Sequence, residues 1–270
     1  MVRKVVDFHA HAFHDKIAEK AAKNLEEYYD IPLAGNGRFH VVTDSMKENG
    51  IDRLVVHATA TKKEQVEVIN DYVASLLAEH IVGFGTLHQD YENYEAELLR
   101  IKSLGLLGIK FHPIFQGFCI DDPKMMPVYR AIAREKLPVL MHMGDKNLDG
   151  ATPKRLAKVL DEIPDLIVVA AHLGGVFEWE DAKRYLYGRD NVYLDTSSAM
   201  RFLDPAVATE MIRSHGTNRV LFGTDYPLSL HKAELAIFDR LSLTEEEQEQ
   251  ILWKNAYELL KLNQRPCEEI

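Results

Sequence analysis

Eight short apolar runs recur along the chain, over residues 4–11, 53–59, 81–88, 107–112, 138–143, 166–172, 192–197 and 219–225. Most are near-continuous in Val, Ile, Leu and Phe rather than alternating. Parallel strands covered on both faces read this way. Amphipathic helical segments lie between them. Thr61-Lys62-Lys63-Glu64 reads as a capping box opening a helix to about residue 79. Asp122-Pro123, Thr152-Pro153 and Asp204-Pro205 each place a capping side chain before a proline at a first helical position. Thr244-Glu245-Glu246-Glu247 starts a final helix, expected over 244–262, and Gly50, Gly105 and Gly216 stand where helices should stop.

Successive strand starts are 49, 28, 26, 31, 28, 26 and 27 residues apart. Eight strands, with every step after the first close to one βα unit, predict an α/β protein of the (β/α)8 TIM-barrel class, with residues 1–270 forming one domain. The alternative is an open doubly wound sheet, but no glycine-rich fingerprint follows the first strand. The long first step predicts an enlarged loop over 12–50. It holds a helix near 15–29, a polar turn at 32–38 and a second helix near 44–49. Such an insertion would lie over the barrel mouth as a lid.

Composition narrows the partners. Forty-two acidic residues outnumber 32 basic ones, for a net charge of −10, which disfavours nucleic acid. No apolar run reaches the ~18 residues that span a bilayer. Cys119 and Cys267 are too few for a disulfide framework or a cysteine-rich metal site. The chain is expected to be cytoplasmic, with a small-molecule partner and a homodimer as the default assembly. Neither a Gly-x-Ser-x-Gly elbow, nor a phosphate-binding loop, nor a Cys-x-x-Cys pair occurs.

Twelve histidines are many for 270 residues, and seven fall at or just past strand ends: His9, His11, His57, His88, His112, His142 and His172. Strand 8 ends instead in Asp225. Active sites of α/β barrels lie at those ends. His9 and His11, two apart on a strand, share a face. With an imidazole and a carboxylate from other strands they would make a nitrogen-rich site suited to Zn2+.

Here the sequence resembles a family. Asp7-Phe-His-Ala-His11, Gly108-Ile-Lys-Phe-His-Pro113, Val139-Leu-Met-His142, Ala171-His-Leu-Gly-Gly175, Val192-Tyr-Leu-Asp-Thr-Ser197 and Val220-Leu-Phe-Gly-Thr-Asp-Tyr-Pro227 look like successive strand ends of the amidohydrolase superfamily. The likeness is nearest to its metal-dependent hydrolase and decarboxylase branch, which contains aminocarboxymuconate semialdehyde decarboxylase. Asn255-Ala-Tyr-Glu-Leu-Leu260 resembles that branch's closing helix. The resemblance implies that His9, His11, His142 and Asp225 are metal ligands. It implies that His172 sits beside the metal water as acid or base, and that Asp225 also accepts a proton. One divalent ion is expected, Zn2+ before Mn2+. Lys110 invites a second ion, because some superfamily members carry a carboxylated, bridging lysine on strand 4. Lys110 otherwise contacts an anionic substrate or fills a structural position.

Other residues keep two readings. His112 and Arg201 are candidate substrate contacts, as are Asp145 and Lys146, whose alternative is solvated loop charge. His57 and His88 face substrate or are structural. Asp7 holds a ligand from behind or is a polar residue of the barrel floor. Phe115 and Phe118 line an apolar wall or pack under their loop. The leading expectation is metal-assisted hydrolysis of a small molecule at a C–N or C–O bond, with metal-activated water. The alternative is non-oxidative decarboxylation of an unsaturated or aromatic acid, and the third reading is a non-catalytic binding barrel.

Overall fold

A computed structural model describes residues 3–264. Eight strands run in parallel: β1 (Val6–His11), β2 (Arg53–His57), β3 (Ile81–Thr86), β4 (Ile109–Phe111), β5 (Val139–Met141), β6 (Val168–Ala170), β7 (Val192–Asp195) and β8 (Val220–Leu221). They pair in chain order, β1 to β8. The ends of that sheet meet. Phe8 N donates to Phe222 O (2.8 Å), Asp225 N to His9 O (2.8 Å) and His11 N to Tyr226 O (2.9 Å). These bonds bring the sheet round into a (β/α)8 barrel, as the even spacing predicts.

The insertion holds α1 (Ala18–Tyr29) and α2 (Phe39–Glu48). The helices between strands follow: α3 (Val66–Ser75), α4 (Tyr94–Ser103), a short α5 (Pro113–Gln116), α6 (Met125–Glu135), α7 (Pro153–Glu162), α8 (Trp179–Tyr185) and α9 (Pro205–His215). After β8 come α10 (His231–Phe238), α11 (Glu245–Glu249), a π-helical turn (Gln250–Lys254) and α12 (Asn255–Leu259). Thr152 and Asp204 cap α7 and α9, and the Thr244–Glu247 box is formed.

Several expected boundaries move. At Thr61 it is Gln65, not Glu64, that accepts from Thr61 N and Lys62 N; a 3-10 turn follows and α3 ends at Ser75 rather than 79. Asp122 accepts from Lys124 N, and α6 begins at Met125. The second insertion helix begins at Phe39, five residues earlier than its polar stretch suggests. Cys119 is a free thiol; Cys267 lies outside the described residues.

Two apolar layers surround the strands. The outer one, including Leu54, Val56, Phe111, Met141 and Leu194, meets the helices. The inner one includes Val6, Phe8, Val55, Phe84, Leu140, Val169 and Leu221, and packs with Ala256 and Leu260 of the last helical run. One irregularity matters for the site. Between Asp7 and Ala10 the β1–β2 register slips: Asp7 pairs with Leu54, but Ala10 pairs with Val56. This β-bulge breaks the alternation. Phe8 and His9 therefore both serve the barrel interior, and Asp7 does not share their face. A strictly alternating strand would put Asp7 on the face of His9 and His11, and the bulge turns it away. Its carboxylate accepts from His9 N (3.0 Å), Thr224 N (3.0 Å) and Thr224 Oγ1 (2.7 Å) and lies 3.1 Å from His231 Nε2. Asp7 thus pins the bulge itself.

Candidate active site

The strand ends bring seven of the singled-out groups together. His9 Nε2 and His11 Nε2 lie 3.3 and 3.4 Å from Asp225 Oδ1, and His172 Nε2 lies 3.1 Å from His142 Nδ1. His57, from β2, stands against His11 with ring centroids 4.4 Å apart. Lys110 points inward, fully buried, with Nζ 3.1 Å from His9 Nε2. Several of these positions are backbone outliers. His172, Ser198 and Asp225 have φ of 63°, 56° and 57° at the ends of β6, β7 and β8. Left-handed backbone at non-glycine residues is costly and collects at functional sites.

Partners behind the rings fix which nitrogen faces inward. His9 Nδ1 donates to Asp195 Oδ2 (2.9 Å), leaving Nε2 as a lone pair toward the site. His142 Nε2 donates to Gly144 O (2.9 Å), leaving Nδ1. His172 Nδ1 donates to Ser197 O (2.9 Å), leaving Nε2. Carbonyl oxygens only accept, so the last two assignments follow from the partner. The outcome is a concentration of acceptors. Two imidazole lone pairs face each other at 3.1 Å, and Asp225 adds a carboxylate. Both nitrogens of His57 are buried and unpartnered.

Charge states agree with this picture. Burial, and then the neighbouring cationic groups, hold His57, His112 and His142 well below the ordinary imidazole value. Burial lowers His11 to about 4 against the pull of Asp225, and lowers His172 against the pull of Asp225 and Asp195. These rings are neutral, the form that ligates metal. Burial alone would raise Asp225, but His9, His11 and His172 hold its carboxyl well below the usual range. Burial lowers Lys110 to about 8, opposed by Asp225 and Asp195.

Above this floor is a cavity of about 550 Å³, lined by His11, His112, His142, His172, Ser198 and Asp225 at the bottom. Its walls are largely apolar and come from α1, from Phe115 and from the loops after β6 and β7. Tyr29 Oη lies 3.2 Å from His112 Nε2, and Tyr28 Oη donates to Asp145 (3.1 Å). His112 stacks between Phe115 and His142 at 4.0 and 3.8 Å. The insertion therefore forms a wall and a cover.

A family model described as Amidohydrolase matches residues 6–262. The chain belongs to the amidohydrolase family. A gamma-resorcylate decarboxylase from Polaromonas sp. (strain JS666) is 25% identical over 286 residues, covering 81% of this chain and 86% of that protein. Among solved structures, an uncharacterised TIM-barrel protein from Bordetella bronchiseptica superposes with TM-score 0.79 at 21% identity, over 97% of this chain and all of the other. A dihydroxybenzoic acid decarboxylase from Polaromonas sp. JS666, solved with manganese and the inhibitor 2-nitroresorcinol, gives TM-score 0.74 at 18% identity over the whole of both chains.

Some expected site residues of this amidohydrolase do not reach the cavity. Lys110 and His9 lie one layer below it, and Arg201 rests its guanidinium 6.0 Å from the Phe202 ring centre, outside the lining. Lys146 donates to Tyr29 O. His88 opens on a separate surface groove with Lys62 and Lys124, and Phe118 packs on Phe111 under its loop. The most consequential residue not singled out from the sequence is Asp195. Fully buried, it holds His9 through Oδ2 and accepts from His172 N and Ser197 N through Oδ1. A carboxylate closing an apolar strand was its signal, the same one that drew attention to Asp225.

Proposed function

We propose that this amidohydrolase is a metal-dependent, non-oxidative decarboxylase of aromatic carboxylic acids. The observation that carries it is the set of inward lone pairs on His9, His142 and His172, beside Asp225, at the floor of an apolar cavity large enough for a substituted ring. The similarity to dihydroxybenzoate decarboxylase, in sequence and in fold, supports decarboxylation over hydrolysis.

The donor set fits a divalent cation. His9 Nε2 and His11 Nε2 converge on Asp225 Oδ1 at 3.3 and 3.4 Å, and ligand atoms of His9, His11 and His57 fall within 4.8 Å of one another. Facing acceptors repel unless a proton or cation lies between them. We assign His9, His11, His142 and Asp225 as the holders of one ion. Imidazole-rich ligation suits Zn2+, whereas manganese occupies the solved decarboxylase. When bound, the ion supplies a positive charge that fixes the acid group and draws electron density from the ring.

The chain's own residues do the rest. Phe115, Tyr28 and Tyr29 offer ring faces and edges to an aromatic acid and exclude water. Decarboxylation leaves the electrons of the broken C–C bond on the ring carbon, releases carbon dioxide and requires one proton at that carbon. His172 is assigned as the proton carrier: its Nε2 lone pair takes up one proton from water and passes it to that carbon, while its Nδ1–H stays committed to Ser197 O. Ser198 Oγ donates to Asp225 Oδ2 (2.6 Å), keeping Oδ1 toward His9 and His11.

The test is carbon dioxide release from gamma-resorcylate and other hydroxybenzoates by Zn2+- and Mn2+-loaded protein, with metal content measured alongside. The His172→Asn variant should keep its metal and lose 10^2- to 10^4-fold in kcat. Release from no hydroxybenzoate by metal-loaded protein would overturn the proposal.

A further inference from the structure

The cavity is asymmetric in its chemistry. Its floor carries the histidines and Asp225, while Asn24, Thr59, Thr61 and Gln65 add only neutral polar groups to otherwise apolar walls. From the floor upward Ile17, at the start of α1, and Ala21, Leu25 and Tyr28 within it follow one another at spacings of 4, 4 and 3 residues, along one helical face. Phe177 and Phe202 form part of the opposite wall, with ring centroids 5.1 Å apart. Ile17, Phe177 and Phe202 are 55%, 56% and 41% exposed. Large apolar side chains left to water around one mouth mark a surface that a ligand covers.

Cations are missing from the same walls. Among the described residues, the cavity lining contains no Lys or Arg, its histidines are neutral, and its one charged side chain is Asp225. Lys110 is sealed beneath His9, and Arg201 lies outside over Phe202. One acid group can be met at the floor, where a metal would be held. A second carboxylate higher in the cavity would meet neutral side chains but no cation and, behind Tyr28, the like-charged Asp145. Burying an unpaired charge there is strongly unfavourable.

We infer that the substrate is a monoacid whose ring carries an apolar substituent, alkyl or aryl, running from the floor out between α1 and the Phe177–Phe202 pair, and that diacids are rejected. This rests on the decarboxylase reading for the orientation of the acid group. The binding that it predicts can be measured without turnover.

The experiment is titration calorimetry on Mn2+-loaded full-length protein with 2-hydroxybenzoate, its 4- and 5-propyl and pentyl derivatives, and hydroxyisophthalate. In at least one alkyl series, the propyl compound should bind at least tenfold tighter than the parent; a fully buried methylene contributes up to about fourfold. Hydroxyisophthalate should bind at least tenfold more weakly than the parent. The Leu25→Lys variant places a cation on a half-buried wall position. With its circular dichroism unchanged, it should improve diacid binding at least tenfold and lose most of the alkyl gain. A flat response in both alkyl series, or a diacid as tight as the parent, would overturn the inference. Carbon dioxide release from the same acids separates the two claims. Release with a flat series removes this inference and leaves the decarboxylase. An alkyl gain without release from any acid keeps the inference about the cavity and removes the decarboxylase. No binding by any acid overturns both.

Discussion

His9 has almost no freedom left. Its Nδ1 is tied to Asp195, its backbone N–H to Asp7, and its ring lies between His57 and His172. Each contact removes an orientation in which Nε2 would point elsewhere. In the proposed role of ligand, a ring held this way would bind metal without first being ordered. Asp195→Asn preserves shape and removes the charge opposite Nδ1. Metal affinity should fall 10- to 100-fold, read by competition with a chelating dye. An unchanged affinity would mean that packing alone orients His9. His142 makes the same point with a backbone partner, because its Nε2 is held by Gly144 O.

Among the elements, the segment after β5 shows how little room the site leaves. Gly144 has φ +80°, and a Cβ there would fall 2.4 Å from Val176 O and 2.6 Å from Val176 N. Both are main-chain atoms and cannot step aside. Gly117 has a similar φ, +75°, with nothing within 4 Å of its would-be Cβ. Gly117→Ala should therefore cost only about 1 kcal/mol, the left-handed backbone term. Gly144→Ala should cost at least ~2 kcal/mol more, through overpacking. Urea denaturation of the two variants measures the difference. Equal losses would show that the loop after β6 yields. The bulge in β1 is the other decisive local feature. A regular strand would alternate through Asp7, Phe8 and His9, and could not give both Phe8 and His9 to the interior.

Across the whole molecule, stability should depend on pH through groups buried outside the candidate site. His215, at the end of α9, is 2% exposed, and its Nε2 donates to Val192 O (3.0 Å). Burial lowers it from 6.5 to about 4. Between those values the unfolded chain takes up a proton that the folded chain refuses. Its contribution is therefore complete above pH 6.5 and declines as pH falls toward 4, by roughly 3 kcal/mol in total. Denaturant titrations from pH 7 to 4 should show this loss. The His215→Gln variant should have a shallower slope over the same interval. An unchanged slope would place the acid sensitivity among the other buried histidines.

The sequence by itself determined the strand period, most helix starts and the gathering of histidines at strand ends. These are local signals. A capping oxygen at Thr244 or an imidazole two residues from another acts over a few residues, and eight strands at such regular spacing leave little choice but closure. The tertiary structure alone decided which atoms meet. Asp195 lies 186 positions from His9, and Lys110 lies 101 from it. Such pairings depend on strand stagger and on how the barrel closes, so no spacing encodes them. The same holds for parity at Asp7, where one extra residue in β1 reverses a face that strict alternation would assign. It holds too for the cavity wall. The apolar face of α1 is legible as a pattern, but whether it covers a core or a mouth is settled only by where the insertion lands.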